Sequence, residues 1–441
     1  MNSVMQPETH RVRIEKIIAG GSGLARTAAG QVILSGFTLP GELTELREVR
    51  RKSGHIEAEL GQLLEPSAER VPPPCPLYGD CGGCDLQHGS YAEQLRIKQA
   101  IVTETMQRAH VPLPAGGVEE VLPSPQQWGY RHRLRLKISP DGQLGFFRKR
   151  SNEFVAVNCC LTAAAGINAA VAELAASRCL RGLADEAELL QSPADGQITL
   201  VLPLREKQRL AEERLRQIAA CANIAHIGSN VGKVFQPLYS RDKAAPLAQE
   251  IVLPKLGKSC VLSWSGGCFS QVNPGQNARL IALALELAGD VRGRSVLDLY
   301  CGMGNFSVPL ALAGATVTGI EGSPESVRWA QRNAEDAGVA VRFSVADVSE
   351  SLRRLVKKQQ QTDIILLDPP RAGIGPAAAL LPELQAEKII YISCDPATLA
   401  RDLRSLCGSG YTLRCLIPVD MFPQTHHIET VALLTRTGKC Q

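Results

Sequence analysis

SVLDLYCGMGNF, residues 295–306, sets the fold. A short apolar run ends at Leu299, a turn carrying Gly302 and Gly304 follows, and a helical stretch begins after Phe306. The same grammar repeats downstream: TVTGIE (316–321), VRFSVAD (341–347), DIILLDPP (363–370) and KIIYISC (388–394), each followed by a stretch that reads as a helix. Buried β-branched runs that alternate with helices from about residue 265 onward predict a parallel sheet covered by helices on both faces. Ligands of such sheets sit beyond the carboxyl ends of the strands.

The residues at those strand ends bear on what is bound. Glycines at 302 and 304 let the backbone approach a ligand closely. A dinucleotide fingerprint would also need glycine at 307, which is Ser307, so a nicotinamide oxidoreductase is disfavoured. Glu321, 17 residues after Gly304, is placed to accept hydrogen bonds from ribose hydroxyls, and Asp347 to reach the amine of an adenine. The bland alternative is that each acid merely caps the helix that follows it. Asp368-Pro369-Pro370-Arg371 forms a rigid edge at the next strand end. Similar motifs occur in amine-directed methyltransferases, so this one alone does not fix the chemistry.

Cys394 lies between the run ending at Ser393 and a helix start with Asp395 as N-cap and Pro396 in the first turn. A helix dipole there favours thiolate. The alternative is a buried structural cysteine. The last polar element, Asp420-Met421-Phe422-Pro423-Gln424-Thr425-His426-His427-Ile428-Glu429, offers Glu429 as a base, with His427 as rival or structural donor. Without further context Glu429 reads as a surface acid at a strand end.

Upstream, residues 8–64 carry evenly spaced short strands and turns, which suggest a small barrel with a basic edge at Arg47, Arg50, Arg51 and Lys52. A proline-rich linker leads to Cys75-x5-Cys81-x2-Cys84 in a glycine-rich turn. Three close cysteines need a fourth for a four-thiolate site, and Cys159 and Cys160 are the candidates. Zinc and an iron–sulfur cluster both suit such a set. The chain has 14 cysteines, no signal-peptide pattern and no apolar run long enough to span a membrane. A cytoplasmic protein follows, with thiols serving as ligands or nucleophiles rather than as disulfides. The net charge is only +4, yet residues 127–150 hold seven basic side chains and one acid. Arg131, Arg133, Arg135 and Lys137 alternate with His132, Leu134, Leu136 and Ile138, which on a strand sorts the charges to one face, as expected where RNA phosphates are met.

Taken together these motifs resemble the RNA 5-methyluridine methyltransferases. Phe269-Ser270-Gln271-Val272-Asn273, the stretch from Leu297 to Phe306, Ser393 to Asp402, and Asp420 to Glu429 match the family's four motifs in order. The resemblance implies S-adenosylmethionine as methyl donor, bound by Gln271, Tyr300, Asn305, Glu321, Asp347 and Asp368. It also implies Cys394 as nucleophile and Glu429 as base in methylation of uridine carbon 5. Two positions depart from the pattern. Asp395 replaces the usual Asn, and its charge could weaken the Cys394 thiolate. Cys268 replaces a residue that is often aromatic, which would loosen the packing. Likeness to the large-subunit rRNA branch implies a 4Fe-4S cluster on Cys75, Cys81, Cys84 and, by alignment of Val155-Ala156-Val157, Cys160. The expected architecture is an α/β Rossmann-like methyltransferase domain (91–124 and 263–441), an N-terminal OB-like TRAM barrel (8–64), and an α+β central domain carrying the cluster (75–90 and 125–262). The expected activity is methylation of a 23S rRNA uridine by a cytoplasmic monomer. The same chemistry on tRNA and a catalytically weak RNA-binding module are the other readings.

Overall fold

The structure is a computed structural model that describes residues 8–204, 210–231, 234–241 and 244–437. Its first sheet comprises β1 (Thr9–Arg13), β2 (Lys16–Ile17), β3 (Gly23–Arg26), β4 (Val32–Ser35), β5 (Leu43–Arg51) and β6 (Ile56–Glu65), in the order β1-β5-β6-β4-β3-β2. β2 continues the line of β1, so one stretch of chain pairs with β5 through its first half and with β3 through its second. That closes the sheet around Val12, Ile14, Ala25, Ile33, Leu46 and Ile56. Gly23 is the first residue of β3; a Cβ there would come within 2.1 Å of the Thr38 hydroxyl. The expected basic edge is largely neutralised: Arg47 pairs with Glu59, Arg51 with Glu48 and Glu8, and Lys52 with Glu57.

Helix α1 (Tyr91–Arg108) starts at Ser90, whose hydroxyl accepts from the Glu93 amide. The second sheet holds β7 (Arg133–Ile138), β8 (Leu144–Phe147), β9 (Phe154–Ala156), β10 (Glu186–Gln191), β11 (Ile198–Leu202), β12 (Ile224–Val231) and β13 (Val234–Ser240). Its order is β13-β12-β11-β10-β7-β8-β9. Helices α2 (Ala165–Ser177) and α3 (Glu212–Cys221) cover one face through Ile167, Leu174, Leu215 and Ile218. Next comes a hairpin, β14 (Leu247–Leu253) and β15 (Lys258–Trp264). The expected domain boundary at 262 falls inside β15, and Ile251, Leu253, Cys260 and Leu262 join a core with Leu280 and Ile281 of α4 (Pro274–Ala288), on the side of the third sheet.

That third sheet contains β16 (Ser295–Leu299), β17 (Thr316–Glu321), β18 (Val341–Val345), β19 (Ile364–Leu367), β20 (Lys388–Ser393), β21 (Tyr411–Val419) and β22 (Glu429–Arg436). The order is β18-β17-β16-β19-β20-β22-β21. The five strands read from the sequence are parallel; β22 runs antiparallel to both β20 and β21. The helices are α5 (Ser307–Leu312), α6 (Pro324–Asp336), α7 (Val348–Lys357) and α8 (Pro396–Cys407). The helix expected between β19 and β20 is instead a 3-10 segment, Gly375–Leu384. Pro382 inside it has no N–H to donate, which prevents a continuous α-helical ladder. No helix among the described residues is long and apolar enough to cross a membrane.

A buried ion pair ties α1 to the loop before β22. Lys98 Nζ lies 2.5 Å from Asp420 Oδ1, with both side chains fully buried, and also donates to the Phe422 carbonyl; Tyr91 donates to Asp420 Oδ2 at 2.9 Å. Lys98→Ala would leave Asp420 buried with its cation gone, a loss of roughly 3–5 kcal/mol. Urea denaturation is expected to show a drop of that order, whereas a drop within error would mean that water or Tyr91 replaces the lysine.

Candidate active site

The turn after β16 is held in an uncommon conformation. Tyr300, Gly302 and Gly304 all have positive φ, at 62°, 54° and 88°. For tyrosine this is strained, and the amides of Tyr300 and Cys301 hold it by donating to the Ile320 carbonyl of β17. A Cβ on Gly302 would point into open space, the kind of approach a ligand needs. Glu321 accepts from the amides of Gly302 and Ser323. Asn305 exchanges two hydrogen bonds of 3.0 Å with Asn277 of α4. Asp347 accepts from the Glu350 amide at 2.8 Å and is the N-cap of α7, as the bland reading held. It remains close enough to Tyr300 that, after burial, its charge is the next influence raising the tyrosine hydroxyl pKa. Gln271 Nε2 donates to Asp368 Oδ2 at 3.4 Å. These six residues gather at the carboxyl ends of β16 to β19. Cys268 leaves no looseness there, because it is buried against Leu190, Val201, Trp264 and Met303.

One acid at the site was overlooked in the sequence. Asp298 is completely buried at the foot of the turn; Ser307 donates to its Oδ2, and its Oδ1 has no partner. Burial lifts its carboxyl from 3.8 to about 7, with help from the charges of Asp368 and Glu321. Such a group binds its proton more tightly folded than unfolded. The stability it contributes is therefore complete below pH 3.8 and is lost as pH rises through about 7. Asp298→Asn is expected to flatten the fall of unfolding free energy across that window, measured by urea melts at several pH values; an unchanged slope would assign the fall to other groups.

Cys394 sits where the sequence placed it, between β20 and α8, but its electrostatics differ from expectation. The thiol is pushed up to about 11, first by burial, then by the charges of Glu429 and Asp368, with Arg371 opposing. The helix start does not overcome these. Asp395, the suspected cause of a weak thiolate, spends its carboxylate on the amides of Ala397 and Thr398. Glu429 is not a surface acid: it is 3% exposed at the start of β22, Oε1 has no partner, and burial followed by the Asp368 charge raises its pKa well above 4.5. Asp368 itself is lifted to about 7 by burial. A thiol and two carboxyls thus share one low-dielectric crevice, with the exposed Arg371 as the cation acting on Cys394 and Glu429. Arg371 stood in the quoted motif, but only the fold shows what it faces. His427 is lowered to about 4, by burial first, and so is poorly suited to carry a proton at neutral pH.

Cys75, Cys81, Cys84, Cys159 and Cys160 line one small cavity, together with Arg131. Gly82 permits the turn, since a Cβ there would lie 2.8 Å from the Phe147 carbonyl. Burial raises Cys81 to about 11 and Cys84 to about 12, and Cys160 adds to both, whereas Cys159 is exposed. The basic strand β7 alternates as expected, but Arg133 and Arg135 pair with Glu188, and Lys137 with Glu186, on the neighbouring β10. Local sequence could not reveal acids 50 residues away that meet these cations across the sheet.

Sheet order, glycine turn and strand-end acids are those of an S-adenosylmethionine-dependent methyltransferase. Residues 90–437 match the model of the tRNA (Uracil-5-)-methyltransferase family, and the chain belongs to that family of RNA-modifying enzymes. It is 34% identical to the 23S rRNA (uracil(1939)-C(5))-methyltransferase RlmD of Nitrosospira multiformis, over 98% of this chain and 99% of that one. Its identity to the RlmD of Halomonas elongata is 35%, over 96% and 89%. A solved structure, Pyrococcus abyssi tRNA (uracil-54, C5)-methyltransferase in complex with S-adenosyl-L-homocysteine, has the same fold, with TM-score 0.71 and 24% identity over 96% of this chain and 100% of that one.

Proposed function

We propose that this enzyme methylates carbon 5 of one uridine in 23S rRNA, in the cytoplasm, with Cys394 as nucleophile and Glu429 as base. The observation that carries the assignment is the shared crevice of Cys394, Glu429 and Asp368 beside the glycine turn. Support for rRNA as substrate comes from relatives named for it that align with nearly the whole chain.

S-adenosylmethionine supplies an electrophilic methyl group, and Gln271, Tyr300, Asn305, Glu321, Asp347 and Asp368 are assigned to hold it. The target uracil must leave its stack to enter the crevice. Cys394 adds its thiolate to carbon 6, and the electron pair of the carbon 5–carbon 6 double bond moves to carbon 5 and its enolate. Arg371 is placed to favour the thiolate. Once carbon 5 carries the methyl group, Glu429 takes the remaining carbon-5 proton, the double bond reforms and the thiolate leaves. RNA containing 5-fluorouridine should trap Cys394, because fluorine cannot leave as a cation. Denaturing gels are expected to show a covalent complex with the wild type and none with Cys394→Ala. Glu429→Gln is expected to accumulate the complex on ordinary RNA, with turnover reduced at least 100-fold, the usual contribution of a general base. Methyl transfer without any trapped complex would overturn the nucleophile.

The cysteine cavity is proposed to hold a 4Fe-4S cluster on Cys75, Cys81, Cys84 and Cys160. A tetrahedral zinc with bonds of about 2.3 Å would bring its sulfurs within about 3.8 Å of one another. Four thiolates lining one cavity suit either group, and metal content distinguishes them. The barrel at 8–64 has the five-strand connectivity of an OB-type fold and is read as a TRAM domain; 75–90 with 125 up to the start of β14, and 91–124 with the chain from β14 onward, are read as the central and catalytic domains. Anaerobically purified protein is expected to contain iron and sulfide in equal amounts with a broad visible absorbance, and Cys160→Ser to lose much of it. Stoichiometric zinc without iron would overturn the cluster.

A further inference from the structure

A further cavity lies apart from the crevice around Cys394. It encloses about 610 Å3 between β12 and β13, the end of β15 and helix α6. That volume is typical of a small-molecule site. Its floor is apolar, with Ile227, Leu247 and Trp264 buried beneath it. Its rim is cationic: Arg328 and Arg332 leave 73% and 64% of their side chains exposed. Arg332 lies over the Trp329 ring at 5.5 Å from its centroid, so a charged group and an aromatic face are presented together. Glu325, the acid in the wall, is committed to Ser265, Trp329 and Arg328. Arg332 has a carboxylate partner only in Asp336, at 3.8 Å, among the described residues. Glycine suits the wall, because a Cβ on Gly266 would lie 2.8 Å from Val201 Cγ2.

We propose that this cavity is a second nucleotide site, which takes an unpaired ribonucleotide with its base against the Tyr239 and Trp329 rings and its phosphate at Arg328 and Arg332. Aromatic faces joined to arginines are the chemistry by which single-stranded nucleic acid is held without sequence readout. Position agrees with that use. One loop supplies Ser265 and Gly266 to the cavity wall and, a few residues later, Gln271 to Asp368. Five residues span at most about 18 Å. A single RNA strand can therefore place one nucleotide here and its target uracil at Cys394. The inference rests on RNA as substrate, not on which RNA is methylated.

Arg332→Glu and Tyr239→Ala, neither of which belongs to the methyl-transfer site, test it in the full-length enzyme. Three readouts are compared: affinity for oligouridylate, KM and kcat on the methylated RNA, and quenching of tryptophan fluorescence by AMP. Each variant is expected to weaken oligouridylate binding and raise KM about tenfold, the effect of losing one stacked base, with kcat at saturating RNA unchanged. Arg332→Glu should also flatten the salt dependence of binding by about one unit of slope. If AMP binds and is lost in both variants while KM holds, the site stands with a free mononucleotide as its ligand. Unchanged oligouridylate affinity, KM and AMP response in both variants would overturn the proposal. Because oligouridylate and AMP binding need no turnover, that failure is distinguishable from failure to methylate 23S rRNA.

Discussion

Gln424 is the residue on which the three parts of the chain meet. Its φ is 72°, strained for a residue with a side chain, and nearly every polar group it owns is engaged. Its carbonyl accepts from the amides of Asp85 and Leu86, just past Cys84, at 3.1 Å each. Its own amide and side chain exchange hydrogen bonds with Gln94 of α1. Two residues on, the Asp85 carboxylate takes the amide of His426 at 2.8 Å and its ring nitrogen at 2.5 Å. A Cβ on Gly21 of the barrel would stand 2.6 Å from that same carboxylate, so the barrel closes over the clamp. The loop that delivers Glu429 is therefore fixed from the cysteine segment, from α1 and from the barrel at once.

This clamp gives the cysteine cavity a mechanical relation to the chemistry that needs no electron transfer. Cys84 and Asp85 are neighbours in the chain, and Asp85 grips the loop three residues before Glu429. Whatever orders the cysteines orders that grip. The buried Lys98–Asp420 pair secures the other end of the loop, and a buried ion pair is tolerated there because Tyr91 and the Phe422 carbonyl add hydrogen bonds to it.

The parallel sheet was legible because its inner strands β16, β19 and β20 are largely apolar buried runs ending in polar or turn residues, with β17 and β18, which carry β-branched residues, beside them. The antiparallel pair β21–β22 was not, since only its pairing with β20 distinguishes it from another crossover. The identities of the strand-end residues were readable as motifs, yet their ionisation was not. Glu429 was the candidate base through the family resemblance, while its place in the chain alone suggested a surface acid; only the crevice shows that it is buried beside a second carboxyl. The thiol of Cys394 was expected to benefit from α8, whereas burial and two acids outweigh the helix. Pairing across strands had the same effect on charge: β7 looked like an open cationic face until β10 brought Glu186 and Glu188 beside it.

The same crowding of charge bears on how the proposed roles follow one another. A thiolate and an ionised Glu429 oppose each other in a buried crevice, so the state with both charged is the costly one. Addition to uracil converts the sulfur into a neutral thioether and moves the negative charge to the enolate, and methylation at carbon 5 then removes that charge. Only after this does ionised Glu429 no longer face a neighbouring anion other than Asp368. The causes that raise Glu429, burial first and then the Asp368 charge, persist through the addition, so Glu429 must release its own proton before it can take the one on carbon 5. A neutral Glu429 during addition lightens the burden on Cys394, and Arg371 supplies the compensating charge for whichever of the two is anionic.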